Sequence, residues 1–170
     1  GTPLSVRADV DTLTLGAGLY VRNADVTWRS TVNGMQKLSA TGNTDDGSAF
    51  NIDLDGSSPE GTAIKVVSSD AGFITSAFLD LDFIEGGRLD IDGTLARDGA
   101  PSRFNIVVTD GRLHNAPFLT QILSLASLRG LADTLGGDGV LFSRIDIPLT
   151  VAGDRYVVTG GKAQGPALGL

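Results

Sequence analysis

The chain has 170 residues, carries a formal net charge of −7 and contains no cysteine. Its 13 basic residues are scattered and outnumbered by 20 acidic ones, so we expect no nucleic-acid partner, which would need a Lys/Arg stripe. The absence of cysteine excludes thiolate metal sites, thiol nucleophiles and disulfides. The 23 glycines lie between short apolar runs, which indicates many tight turns and many short strands in one domain.

Alternation of apolar and polar residues, the period of a half-buried β-strand, recurs along most of the chain. The first alternating segment changes phase by one residue, which predicts a bulge near Asp11 and Thr12. Asn33 and Gly34 form a dipeptide typical of a hairpin turn. The alternating apolar positions are, in chain order, Leu4, Val6, Ala8, Val10, Leu13 and Leu15; Val26 and Trp28; Phe50, Ile52 and Leu54; Ile64 and Val66; Leu89, Ile91 and Leu95; Phe104, Ile106 and Val108; Ile145, Ile147, Leu149 and Val151; Tyr156 and Val158.

Two segments show helical spacing instead of this alternation. Residues 116–135 carry a broad apolar stripe, with Pro117 where a helix begins and two glycines, 136–137, where it ends. A shorter helix is predicted from Asp70 to about Leu79. Its first residues, DAGFIT, are similar to NAPFLT at 115–120, which suggests a weak internal repeat of strand, helix and strands.

The sequence therefore predicts a mainly β fold with one or two helices, in which roughly ten strands form a twisted antiparallel meander with one apolar face. Ten strands span about 48 Å, whereas a helix of about 19 residues is about 28 Å long and about 10 Å across. The helices can thus cover only part of that face. The rest must close on itself as a sandwich or barrel, meet a partner or hold an apolar ligand. We expect an open groove or half-closed barrel, with one apolar helix packed on or capping its concave face.

No residue pattern indicates catalysis, and we expect no enzyme activity, no metal and no cofactor. His114 is the only histidine and no Gly-x-Ser-x-Gly segment accompanies it, so its expected role is structural, at the junction of a strand and a helix. The glycine-rich residues 136–139 follow a predicted helix, whereas a phosphate loop precedes one. We therefore interpret them as a helix end and a turn.

Four Asp-x-Asp pairs could present two carboxylates on one side of a strand to a divalent cation. The best of them, within Asp53-Leu54-Asp55-Gly56, supplies too few ligands for a calcium loop. We therefore interpret the pairs as solvent-facing residues of amphipathic strands, whose charge discourages edge-to-edge pairing. The pairs are Asp9 and Asp11, Asp53 and Asp55, Asp80 and Asp82, and Asp90 and Asp92.

Three stretches within residues 70–170 share an order and a spacing with a known family. The first leads from DAGF at 70–73 to EGGRLDIDG at 85–93. The second leads from DGRLHNAP at 110–117 through the Leu/Ser-rich helix to GGDGVLF at 136–142, and the third is GPALGL at 165–170. In these stretches the chain resembles the AsmA-like C-terminal region of large bacterial envelope proteins, the YhdP and TamB relatives. Residues 1–69 fit the family only as generic strands.

The resemblance implies a long, twisted β-groove with an apolar interior, in a protein that is anchored in the inner membrane and crosses the periplasm. Phospholipids are thought to pass between the inner and outer membranes along such a groove, as in bridge-like lipid-transfer proteins. Residues 1–170 would then form a single domain excised from a longer protein. Adjoining segments of that protein would be its partners, and membrane contact would occur only through parts outside this chain.

Phospholipid acyl chains are thus the expected ligand, and the resemblance brings no catalytic residues. The alternative is a structural or assembly module of the cell envelope, a closed β-domain that docks proteins without lipid through its terminal strands. A charge at Ile52 or Ile91 is expected to reduce lipid retention if these residues line the groove. The groove-lining candidates are Val26, Trp28, Phe50, Ile52, Leu54, Leu89, Ile91, Phe104, Ile106, Leu119, Ile122, Leu123 and Ala126.

Overall fold

A computed structural model describes residues 2–16, 18–79, 82–114 and 139–166 of the chain. These residues form ten strands and one helix. The long helix predicted over 116–135 lies outside the described residues. In chain order the elements are β1 (Leu4–Gly16), β2 (Leu19–Thr31), β3 (Gly34–Asn43), β4 (Ala49–Asp55), β5 (Gly61–Ser68), α1 (Ala71–Leu79), β6 (Ile84–Ala96), β7 (Ser102–Leu113), β8 (Val140–Ala152), β9 (Arg155–Val158) and β10 (Lys162–Gln164).

The ten strands form one antiparallel sheet in which β1 to β8 are neighbours in chain order. Both β9 and β10 pair with β8, so together they make the second edge of the sheet, and β1 makes the first. The two edges are not paired with each other, so the described sheet is open and does not close into a barrel. The predicted mainly β meander is confirmed in its open form.

The bulge expected near Asp11 and Thr12 was wrong, because β1 and β2 keep one register from Leu4 to Thr14. The irregularity lies in the neighbouring strand. Asn23 of β2 has a φ of 51°, and the register between β2 and β3 shifts next to it. The short polar side chain of Asn tolerates this left-handed conformation better than most residues do. The register shift therefore lies between β2 and β3 and not between β1 and β2.

The other local predictions agree closely with the structure. The hairpin turn lies at Val32-Asn33, and Gly34 starts β3 with a φ of 108°. Helix α1 begins one residue after Asp70, whose carboxylate Oδ1 accepts the backbone N–H of Phe73 at 3.0 Å. This is the N-cap arrangement, in which a side-chain oxygen satisfies a free N–H of the first helical turn.

The register brings the alternating apolar residues of all strands onto one side of the sheet, the apolar face, in three rows that cross the strands. The outer row is Val6, Trp28, Leu38, Leu54, Ile64, Gly93, Phe104, Leu149 and Val158. The middle row is Ala8, Val26, Ala40, Ile52, Val66, Ile91, Ile106 and Ile147. The inner row is Gly42, Phe50, Ser68, Leu89, Val108, Ile145 and Ala163.

Helix α1 packs against the inner row and forms the main hydrophobic core there. Phe73 and Ile74 of the helix are buried in one cluster with Phe50, Leu89 and Val108 of the sheet. Leu89 has no exposed side-chain surface. The core therefore sits at one end of the apolar face, under nine residues of helix.

Replacement of Leu89 by alanine tests where this core lies. The Leu89→Ala change leaves a cavity under α1 and is expected to lower the free energy of unfolding by about 2–5 kcal/mol. Leu95→Ala is the matched control, because Leu95 lies in the same strand and on the same face but is 51% exposed. It is expected to change the free energy by about 0.5 kcal/mol or less. Urea denaturation measures both values, and equal losses would contradict the assignment of the core.

Candidate apolar binding face

Nine of the thirteen groove-lining candidates lie on the apolar face. Each occupies one of its rows, although the nine come from four strands. They are Val26 and Trp28 on β2, Phe50, Ile52 and Leu54 on β4, Leu89 and Ile91 on β6, and Phe104 and Ile106 on β7. The other four, Leu119, Ile122, Leu123 and Ala126, lie outside the described residues.

The accessibility of the face increases from the inner row to the outer row. Phe50 and Leu89 are buried under α1, so they belong to the core and do not meet a ligand in this conformation. Ile52 and Ile91 in the middle row are half-buried. In the outer row the side chain of Trp28 is 38% exposed. An apolar ligand could therefore contact the outer row and the solvent-facing part of the middle row.

The outer row is exposed at both ends as well as at Trp28. Val6 at the β1 edge is 41% exposed and Val158 at the β9 edge is 56% exposed. Since neighbouring strands lie about 4.8 Å apart, the nine strands that the row crosses span about 38 Å. The three rows contain no Asp, Glu, Lys or Arg. The result is a wide surface of uncharged side chains that α1 covers on one side only.

The outer end of the face has a polar border. Beyond the outer row lies Tyr156, which is 72% exposed and whose ring ends in a hydroxyl group. Arg97, at the end of β6, donates from Nη2 to the backbone oxygen of Gly56 at 2.5 Å. This bond joins the end of β6 to the end of β4 across β5. It places a guanidinium group at the outer border of the apolar face.

The opposite side of the sheet, the polar face, carries the Asp-x-Asp pairs that the structure describes. Several of their neighbours on this face are polar or basic, whereas Asp90 lies between Val67 and Val107. Ion pairs join Lys65 to Asp92 at 3.9 Å and Arg88 to Asp90 at 3.1 Å. Among the described residues, which exclude Asp80, no group of three or more acidic or histidine side chains could hold a metal ion. The interpretation of these pairs as a solvated face agrees with this geometry.

His114 lies at the end of β7, at the described limit of the strand. Its backbone N–H donates to the backbone oxygen of Phe83 at 3.0 Å, which ties the end of β7 to the segment before β6. Its Nδ1 is buried and has no hydrogen-bond partner within the described part of the chain. The backbone contact fits the expected structural role.

Sequence reasoning missed the contribution of β3 to the apolar face. Leu38 and Ala40 lie in the outer and middle rows, directly opposite Leu54 and Ile52. Their strand contains only one large aliphatic side chain and several polar residues, so its alternation is weak. The hairpin turn after β2 could not have revealed them by itself, because a register shift between Arg29 and Ser30 is needed to set Leu38 opposite Trp28.

Comparison of this chain with protein-family models, with curated proteins and with solved structures finds no match. Within the described residues, no helix has both the length and the apolar character required to cross a membrane.

The N-cap of α1 gives a pH-dependent prediction for the covered end of the face. Burial raises the pKa of Asp70 above its ordinary value of 3.8, and the N–H of Phe73 opposes this only in part. The folded protein therefore holds the Asp70 proton more tightly than the unfolded chain does. The contribution of this tighter proton binding to the free energy of unfolding is full below the ordinary pKa of Asp70. It is lost as the pH rises through the raised pKa of the folded state.

Asp70→Asn keeps an oxygen acceptor for Phe73 and removes the charge, so at neutral pH this variant is expected to be as stable as the parent or more stable. Asp70→Ala also removes the charge but loses the cap, and is expected to be less stable by about 1 kcal/mol. Urea unfolding at acidic and at neutral pH checks both. If a rise from acidic to neutral pH increased the free energy of unfolding more in the parent than in Asp70→Asn, the predicted sign would be wrong.

Proposed function

We propose that this chain binds the acyl chains of lipids on its apolar face. A single observation carries the proposal: the apolar face continues across the whole sheet, and α1 covers only its inner row. An apolar face of this width, exposed at Val6, Trp28 and Val158 and half-buried between them, marks a candidate site for a ligand or partner. Burial of such surface by acyl chains gains about 25 cal/mol for each Å² removed from water.

The chemistry of the face favours an acyl chain over a polar ligand. Across the three rows the side chains are almost all aliphatic or aromatic, and Ser68 in the inner row is fully buried. Apart from the indole N–H of Trp28, the accessible part of these rows offers no hydrogen-bond donor, and it carries no charge to orient a headgroup. Binding would therefore follow the apolar part of the lipid and leave the headgroup in solvent or at the polar border near Arg97.

The wider role follows from the resemblance to the AsmA-like region. On this proposal the chain is a lipid-conducting segment of a periplasmic protein that carries phospholipid between the inner and outer membranes. Adjoining segments of the same protein would continue the face beyond the edge formed by β9 and β10, and parts outside this chain would contact the membranes. The role requires no chemical step and no cofactor.

A second candidate function is an assembly module of the cell envelope that docks proteins instead of lipid. The observation in its favour is the outer edge of β1, which pairs with no other described strand and can add a strand from a partner. The sequence predicts a closed β-domain for this candidate, and the open sheet of the described residues does not fit that form. The two candidates differ in whether the purified chain retains lipid.

Native mass spectrometry of the gently purified chain, with solvent extraction of released molecules, separates the two candidates. Lipid binding predicts added masses of phospholipid at a defined stoichiometry. A bare chain, under conditions that preserve lipid on a known carrier protein, would contradict it and favour the docking module.

Charge substitutions on the apolar face provide the corresponding mutational prediction. Ile52→Asp places a carboxylate in the middle row, where burial by an acyl chain would leave the charge unpaired. Lipid retention is expected to fall by about tenfold or more, which corresponds to about 1.4 kcal/mol. Native mass spectrometry after exposure to phospholipid vesicles measures the change.

Two further variants control this experiment. Asn51→Asp introduces the same charge at the adjacent position, which is exposed on the polar face, and is expected to retain lipid normally. Leu54→Asp places the charge in the outer row, away from the core cluster under α1, and tests the face if Ile52→Asp does not fold. Normal lipid retention by folded Leu54→Asp and Ile52→Asp would show that the apolar face is not the binding surface.

A further inference from the structure

The two open edges of the sheet differ in how well they are protected against pairing. The second edge consists of four residues in β9 and three in β10, with an interruption at 159–161 and Lys162 in its last strand. Short strands, interruptions and lysine are the devices by which natural sheets discourage edge pairing. The first edge, β1, has 13 residues and keeps one register with β2 from Leu4 to Thr14. It contains no lysine, and its charges (Arg7, Asp9 and Asp11) discourage pairing with a strand of like charge but not with a complementary one.

The sequence of the β1 edge is complementary to itself in the antiparallel sense. Its central residues read Val6-Arg7-Ala8-Asp9-Val10. If a second copy pairs antiparallel with Ala8 opposite Ala8, Arg7 of each copy faces Asp9 of the other. In the same register Val6 faces Val10 on the apolar face. Opposite charges and β-branched residues directly across a strand pair both stabilise it.

The charges around Asp9 in the single chain favour this partner. Asp9 lies directly opposite Asp25 of β2, and like charges across a strand pair are destabilising. Arg7 forms an ion pair with Asp25, with 2.6 Å between Nη2 and Oδ2. Asp9 and Asp25 therefore both interact with Arg7 of their own copy. Arg7 of a second copy would stand on the open side of Asp9 and supply a second cation.

We propose that β1 pairs antiparallel with β1 of a second copy of this chain, about a two-fold axis through Ala8. A two-fold axis perpendicular to the sheet is the symmetry that joins two identical edges in this way. It keeps the apolar faces of the two copies on the same side, so the two sheets form one continuous surface. The proposal does not depend on whether that surface binds lipid.

Disulfide crosslinking tests the register, because the chain has no cysteine of its own. Residues directly opposite in an antiparallel pair have Cβ atoms about 4.5–5.5 Å apart, close enough for a disulfide after small adjustments. Ala8→Cys is therefore expected to give a covalent dimer under mild oxidation. Val6→Cys is the control, since it faces Val10 of the second copy and is expected to crosslink at least about tenfold less.

Analytical ultracentrifugation over a range of concentrations tests the charges. Asp9→Arg turns both attractions across the axis into repulsions and is expected to weaken dimerisation by about tenfold or more. The double variant Arg7→Asp/Asp9→Arg restores both attractions and is expected to recover the dimer. Asp154→Arg makes the same change of net charge in the turn between β8 and β9, and is expected to leave the dimer intact.

Three results would overturn the proposal. The parent chain could stay monomeric at every concentration. Ala8→Cys could crosslink no better than Val6→Cys, which would place any dimer contact elsewhere, for example on the apolar faces. A mixture of Ala8→Cys with Ala163→Cys could crosslink in preference to Ala8→Cys alone, which would show that β1 pairs with the opposite edge. Circular dichroism of each variant confirms that it is folded.

Discussion

The register between neighbouring strands is the constraint on which the rest of this structure depends. Side chains alternate between the two sides of a strand, so a slip of one residue in any hairpin would move the apolar residues of the following strands to the polar face. Local devices adjust or support the register where the pattern is weak. Asn23 takes a left-handed conformation where the register between β2 and β3 shifts. Gly42 leaves space for the ring of Phe50, which a Cβ would approach within 2.8 Å.

A sheet held in register in this way gathers the three apolar rows on one face, although Val67 and Val107 lie on the polar face. The short helix α1 then determines how much of the apolar face is core. It buries the inner row and leaves the outer row accessible, so one surface serves stability at one end and is available to a ligand at the other. The polar face has the complementary role. Its ion pairs join side chains that are largely exposed to solvent. In our proposal, its charges at the β1 edge favour pairing with β1 of a second copy.

The sequence predicts the strands and the shared face because amphipathic alternation is a local pattern. It can be recognised in one sequence without knowledge of the tertiary contacts. Val26, Ile52, Ile91 and Ile106 could thus be assigned to one face before their register was known. The sequence does not reveal which residues α1 covers, since Leu89 and Leu95 have the same pattern in one strand and differ only through tertiary packing. The bulge was misplaced for a similar reason. The change of apolar phase is seen in the sequence of β1, whereas the register shift lies between β2 and β3.

The only tryptophan of the chain lies in the outer row of the apolar face, so its fluorescence reports directly on the central claim. The measurement is a titration of the parent chain with phospholipid whose acyl chains carry bromine, a contact quencher, with unlabelled phospholipid as the control. Acyl-chain binding on this face predicts a blue shift of Trp28 emission with both lipids and saturable quenching with the brominated lipid alone. Emission that stays unchanged while the chain binds lipid, or a chain that binds none, would contradict the account.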